Sequence, residues 1–445
     1  MFCSADLDII YTKHLQMTQT THEGLVRKIG RWDLLALVTN SIVGAGIFGL
    51  PSKLYALAGD YSLWAFMACA FFIGLLIICF AEVASRFSET GGPFLYANTA
   101  FGAQIGFQVG WLMWLTRLTA FAALCNLLVN YLSYFLPAAA DGPTRAAIIT
   151  ALVAALAAVN IIGVRQAAVV SNVFTVSKLI PLFIFVTVGL FFVGPESYTF
   201  EKAPSLTTFS DAVLLLVFAF SGFEVAVIPA GEVHNPQRNV PFALFTSLAA
   251  VTLLYFLIQI VCIGTLPTLA ASDRPLADAA ERFLGAAGAS LMTLGALISI
   301  AGTLNTGMLA APRLIFAMAE RRELPAFFAA THPRFHTPHR AILVSAALML
   351  VFSLLATFLA ALKISTLIRL LIYAVTCLSL IALRRKHPQH PAAFTIPGGI
   401  GLAIVVTLLS LWLIAHSSRD EIYMVGAAAL LGGIISLAAR FWRKR

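Results

Sequence analysis

The run Asn40-Ser41-Ile42-Val43-Gly44-Ala45-Gly46-Ile47-Phe48-Gly49-Leu50-Pro51 lies in the middle of an apolar stretch from about residue 33 to 58. The stretch is long enough to cross a bilayer, for which about 20 residues suffice. Its centre, however, is made of poor helix formers, three glycines and a proline. Glycine lets the backbone leave helical geometry, and proline suits the first turn of a new helix. The expected element is therefore a membrane helix that stops halfway and starts again. Unwound backbone at that depth is tolerated only where it is buried in protein or lines a cavity.

The rest of the chain agrees with a membrane setting. Of 445 residues 60% are hydrophobic and only 11% charged, against roughly 25% charged in a soluble domain. The apolar runs are long and continuous rather than short and alternating, which excludes an outer-membrane barrel. Twelve candidate spans fall at about 33–58, 61–86, 103–136, 144–163, 168–193, 211–233, 239–266, 287–318, 340–360, 364–383, 398–417 and 421–441. No connection is long enough for a further domain; the longest, about 267–286 and 319–339, run near twenty residues. No cleaved signal peptide is visible, and Met17 is a candidate alternative start.

The net charge of +9 matters through its placement. With the N-terminus inside, roughly eighteen Lys and Arg fall on the inner side and seven on the outer side. That bias places both termini in the cytoplasm of a cell (plasma or inner) membrane protein. A nucleic-acid partner needs a contiguous basic face, which is absent. The six cysteines lack disulfide or zinc spacing. His332, His336 and His339 read as part of a solvated connector rather than as metal ligands. Neither a metal nor a cofactor is expected.

Span six repeats the anomaly of span one. It reads Phe218-Ala219-Phe220-Ser221-Gly222-Phe223-Glu224, followed by Pro229. Spans one and six open two five-helix halves, about 33–193 and 211–383. Breaks in corresponding helices of two halves point to the binding site of a carrier. Where span one restarts, free N–H groups and the positive end of the helix dipole suit a carboxylate. Unwound carbonyls suit an ammonium group or a cation. Donors on one side and acceptors on the other fit an α-amino acid.

At these residues the chain resembles the amino acid–polyamine–organocation superfamily of permeases. The matches run in order: Gly44-Ala45-Gly46-Ile47-Phe48, then Glu82-Val83-Ala84-Ser85-Arg86-Phe87 with Gly91-Gly92-Pro93, then Phe101-Gly102. They continue with the span-six run, Gly231-Glu232-Val233-His234-Asn235-Pro236-Gln237-Arg238-Asn239-Val240-Pro241, Arg313 with Ala317-Met318-Ala319 before Leu324-Pro325, and Phe394-Thr395-Ile396-Pro397-Gly398. The resemblance implies an all-α fold with a five-plus-five inverted repeat, discontinuous helices one and six, and two accessory helices at about 398–441. A cytoplasmic tail, 1–32, would precede the transporter core of 33–383, and a basic tail, 442–445, would follow the accessory helices. By the same resemblance the substrate contacts fall on Val43, Gly44, Ala45, Gly46 and Ile47, and on Phe218, Ala219, Phe220, Ser221, Gly222, Phe223 and Glu224. Phe218 takes the position of an aromatic gate.

Charges within the spans mark further candidates. Lys178 stands about ten residues into span five, about 15 Å deep. A midplane lysine costs roughly 2.5–3.5 kcal/mol, so it should face the bundle and have partners. The run Phe174-Thr175-Val176-Ser177-Lys178 is similar to sodium-independent members, in which the ammonium replaces a sodium ion between spans one and eight. Lys178 is thus the candidate cation substitute and proton carrier, with Thr303, Asn305 and Thr306 of span eight as partners. Glu224 is a candidate for a substrate amine or a proton, with an ion pair to Arg117 as the structural alternative. Glu82, Arg86, Glu232 and Arg238 are either inner-gate charges or solvated loop residues. Small residues such as Ala120, Ala122 and Ala123 suggest room for a sizeable apolar side chain.

The function read from these features is secondary active transport of an amino acid, proton-coupled and sodium-independent. An exchanger and a polyamine or biogenic amine carrier are the alternatives, and a channel is the least economical one. Zinc-protease and phosphate-loop motifs are absent, so no enzyme or ATP-driven pump is expected.

Overall fold

In the computed structural model the chain is described over residues 30–44, 46–87, 91–162, 178–200, 203–224, 233–386, 392 and 394–443. Span one is α1 (Arg31–Ile42) and α2 (Gly46–Ala58). Then follow α3 (Ser62–Ala84), the short α4 (Pro93–Phe101), α5 (Ala103–Leu132) and α6 (Gly142–Ile162). The second part comprises α7 (Lys178–Phe192), α8 (Leu206–Ala219), α9 (Pro236–Thr265), α10 (Pro275–Glu320), α11 (His339–Leu355) and α12 (Phe358–Lys386). The chain ends in α13 (Gly399–Ala415) and α14 (Arg419–Arg443). With α1 and α2 counted as one pass and α4 as none, these make about twelve membrane passes. Met17, the tail through residue 29, Ala45, the run 163–177, Glu232 and residues 444–445 lie outside the described residues.

Burial follows a membrane protein's logic. Helices α5 and α12 form the interior, with α5 packed against α10, α11 and α12, while α1 lies along α9. Large apolar side chains such as Phe71, Phe191, Leu355 and Leu430 are exposed on the outside. Water would penalise that surface, whereas lipid tails accept it. The expected span limits shift at several ends. Span six starts earlier, at Leu206, because the Ser205 side chain caps it by accepting from the Thr208 N–H at 3.1 Å. Its helix ends at Ala219, before the Ser221-Gly222 pair. The expected connection 267–286 is partly helical: α10 starts at Pro275 and kinks at Gly285 (φ 64°). Leu276, Ala277, Ala279 and Ala280 are buried, which explains why that segment packs on the bundle.

At the α4 end a buried carboxylate joins distant parts of the chain. Glu82, at the end of α3, has no exposed side-chain surface. Its two oxygens accept from Arg384 Nε and Nη2, each at 2.6 Å. Arg86 Nη2 adds a bond at 3.1 Å and the Ile396 N–H another at 3.0 Å. Arg384 also donates to the Ile396 carbonyl at 2.8 Å. Glu82 is therefore not a solvated loop residue, whereas Arg238 is exposed. Charge-assisted bonds of this kind contribute about 1.5–3 kcal/mol each. Glu82→Gln keeps the shape and removes the charge, so it should lower stability by about 2–3 kcal/mol. A melting temperature of the purified variant in detergent within one degree of the parent would refute this.

In the loop before α11, His332 Nδ1 accepts from the backbone N–H groups of Arg334 and Phe335 at 3.2 and 3.3 Å. That nitrogen is a turn acceptor here.

Candidate functional site

The two breaks meet. After Ile42 the backbone leaves helical geometry at Val43 (ψ 75°), and helix resumes at Gly46. After Ala219 the chain turns through Phe220, Ser221 and Gly222, the last at φ 111°. A Cβ on Gly222 would stand 2.4 Å from the Ser41 carbonyl oxygen, so only glycine allows this approach. A Cβ on Gly46 would lie 3.2 Å from the Phe218 ring, which packs over the start of α2.

Unwinding leaves carbonyls without helical partners, and side chains from other spans take them up. The Tyr255 hydroxyl of α9 donates to the Ile42 carbonyl at 2.9 Å. Tyr131 of α5 donates to the Phe48 carbonyl in the first turn of α2 at 2.7 Å, which ties the restarted helix to α5. Lys178 Nζ donates to the Asn40 carbonyl at 2.7 Å.

Between the breaks and α5, α10 and α12 lies a cavity of about 240 Å³. Ligand pockets for drug-sized molecules run from about 300 Å³ upward, so this one suits something smaller. Of the expected substrate contacts, Gly44, Gly46, Phe218, Ala219, Ser221, Gly222 and Glu224 line it. Val43 and Ile47 point into the core. Phe220 packs edge-on against Phe66 and Tyr255, and Phe223 packs edge-on against Phe80 and tilted against Tyr373, and neither lines the cavity. Ala45 lies outside the described residues. From α10, Thr303 and Thr306 line the cavity while bonding back to their own helix at Ser299 and Gly302. Asn305 is buried, with its Oδ1 3.5 Å from Asn160 Nδ2.

Lys178 is buried beside the cavity rather than on it. It reaches span one as expected, but its hydrogen bond goes to Asn40, and no bond joins it to Thr303, Asn305 or Thr306 among the described residues. Among the described residues, four buried polar atoms on spans one and eight have no hydrogen-bond partner: Asn40 Oδ1 and Ser52 Oγ on span one, and Thr293 Oγ1 and Ser299 Oγ on α10. Helices α7 and α10 approach closely there, since a Cβ on Gly295 would meet the Pro181 ring at 2.7 Å.

The expected alternative pairing of Glu224 is corrected. Its partner is Arg369 of α12, at 2.8 Å, not Arg117 of α5. The turn after α8 explains why. The Gly222 N–H donates to Glu224 Oε2 at 2.7 Å and fixes the carboxylate, with Oε1 accepting from Arg369 and from the Tyr373 hydroxyl. Arg117 lines the same cavity and feels the charges of both Arg369 and Glu224. Arg369 and Tyr373 were absent from the expected site. The signal was present, because Arg369 is an isolated charge in the apolar run Leu367-Ile368-Arg369-Leu370-Leu371.

The cavity reaches Pro93 of α4 at one end. Away from the cavity lining, Lys53 pairs with Asp273 at 3.0 Å, and buried Asp60 accepts from the Thr199 and Phe200 N–H groups at 2.8 and 3.0 Å.

A bundle of about twelve passes, broken twice around one small cavity, defines a membrane carrier rather than an enzyme. The family profile described as amino acid permease matches residues 29–424, and the chain belongs to that family. It is 28% identical over 426 residues to the serine/threonine exchanger SteT of Bacillus subtilis (strain 168), covering 93% of this chain and 96% of that protein. It is 32% identical over 320 residues to an arginine/ornithine antiporter of Pseudomonas aeruginosa, covering 68% and 65% respectively. The branched-chain amino acid permease BcaP of Bacillus subtilis (strain 168) is 24% identical over 435 residues, covering 93% of each. The chain is a multi-pass membrane protein that transports amino acids.

Proposed function

We propose that this permease is a secondary active carrier of the cell membrane that works by alternating access and without sodium. The basic α4 end is cytoplasmic on this reading, as are both termini, and the cavity is open toward the cytoplasm. The substrate's α-carboxylate binds the restarting N-terminus of α2 at Gly44 and Gly46, and its ammonium binds the unwound carbonyls. Phe218 closes over it. The two halves, 33–193 and 211–383, rock about the breaks, with α13 and α14 as accessory helices.

The observation that carries the sodium-free reading is the Lys178 ammonium on the Asn40 carbonyl, beside the span-one break. A cation supplied by the chain leaves a bound sodium redundant. Asn40 Oδ1, without a hydrogen-bond partner among the described residues, supplies a second acceptor on the same residue when that ammonium moves. Lys178 thereby becomes the proton carrier of a symport cycle. Exchange is the second reading, supported by two of the relatives above, which are named an exchanger and an antiporter. A polyamine carrier is disfavoured, because the one carboxylate among the described lining residues is already held by Arg369.

The test is uptake of a labelled amino-acid panel into proteoliposomes, without sodium, with an imposed pH gradient, and with or without internal amino acid. Accumulation that collapses with the gradient is expected, and Lys178→Ala should reduce it at least about tenfold, the equivalent of one buried charge-assisted bond. Flux that requires internal amino acid and ignores the gradient would establish exchange instead. Uptake restored by sodium alone would overturn the role given to Lys178.

A further inference from the structure

The cavity carries an unbalanced charge. Its described lining holds two guanidinium groups, Arg117 and Arg369, and one carboxylate, Glu224. Glu224 is fully engaged by Arg369, Tyr373 and the Gly222 N–H. Arg117 makes no hydrogen bond or ion pair among the described residues, although it feels the opposing pulls of Arg369 and Glu224. It belongs to one stripe of α5, in which Met113, Arg117, Ala120, Phe121 and Leu124 recur at helical spacing and line the cavity together. Thr116, which also lines the cavity, spends its hydroxyl proton on the Leu112 carbonyl, and the other neighbours on that stripe are apolar, so the charge is solvated poorly when the cavity closes.

We propose that this permease carries α-amino acids whose side chain ends in a carboxylate, and that Arg117 is the residue that recognises that group. This rests on the transport reading above and adds the substrate class. The α-carboxylate is accounted for at α2, so the second carboxylate is what neutralises Arg117. A guanidinium suits it, offering paired N–H donors in a fixed plane. A neutral side chain leaves Arg117 buried and unpaired in the closed state. A cationic side chain meets two guanidinium groups and no free carboxylate. Aspartate and glutamate fit a cavity of this size.

The experiment compares glutamate with glutamine, which has nearly the same shape and no side-chain charge. The full-length protein in proteoliposomes is assayed for uptake of labelled L-glutamate, and for its competition by L-aspartate, L-glutamine, L-serine, L-leucine and L-arginine. Labelled L-serine, L-leucine and L-arginine are assayed separately. Glutamate and aspartate should be preferred to glutamine by about 10- to 150-fold, the value of one charged hydrogen bond. Arg117→Gln should reduce the ratio to within about twofold, and Arg117→Lys should restore part of it. Uptake of neutral or cationic amino acids without glutamate uptake would overturn the proposal and leave the permease reading intact. An unchanged glutamate KM in Arg117→Gln would overturn it as well. If Arg117→Gln does not fold, the glutamate-to-glutamine ratio of the unmodified protein decides. Uptake of none of the panel would overturn both readings.

Discussion

Gly222→Ala should abolish transport while leaving a protein that still inserts and can be purified. The methyl group has nowhere to go. It would stand 2.4 Å from the Ser41 carbonyl oxygen and 2.8 Å from its carbon, and both atoms are backbone. The φ of 111° is also one that L side chains rarely adopt. Relief requires either span one or span six to move away from the other, and the cavity is built from that contact. A shift of about 1 Å at a positioned site can cost on the order of a hundredfold in rate. The initial uptake rate should therefore fall at least about a hundredfold, with a smaller effect on the melting temperature. Wild-type rates in this variant would mean that the two breaks do not need to touch during the cycle.

The second large effect is expected at Arg369. Arg369→Ala leaves Glu224 with its hydrogen bonds to Tyr373 and Gly222 but without its cation. Breaking a buried pair from one side costs about 3–5 kcal/mol, whereas removing both partners is often nearly neutral. Both side chains retain slight exposure to the cavity, 18% and 16%, so the lower end is expected, about 3 kcal/mol. The double variant Arg369→Ala with Glu224→Ala should recover much of that loss. Thermal melts of the two single variants and the double variant form the required cycle. Additive losses would show that the pair contributes little and that each residue acts through other contacts.

The sequence disclosed what local chemistry encodes. Glycine, proline and serine in the middle of apolar runs mark interrupted helices wherever they occur, so both breaks were legible at Gly44-Ala45-Gly46 and Ser221-Gly222. An isolated lysine in span five was equally visible. What failed was rotation about a helix axis. Val43, Ile47, Phe220 and Phe223 sit within the broken segments, yet they turn into the core. Ser41 and Ile42, the two residues before the expected contacts, line the cavity instead. Partner choice across long separations was also hidden. Glu224 has two basic candidates within the bundle, and only the turn geometry after α8 selects Arg369, 145 residues away. The same holds for Thr303 and Thr306, whose place on the cavity wall depends on how α10 faces α5.

The Glu82 cluster has a consequence for how the chain is made. Its carboxylate leaves the ribosome among the first hundred residues, but Arg384 follows 302 residues later and Ile396 after 314. At 5–20 residues per second, roughly 15–60 s pass before those partners exist. During that interval Arg86, four residues on, is the ion-pair partner of Glu82 among the described residues that has already been made. The earliest helices therefore mature under the control of the latest. A ribosome that stalls before residue 384 yields a product in which this buried carboxylate lacks both of its late partners.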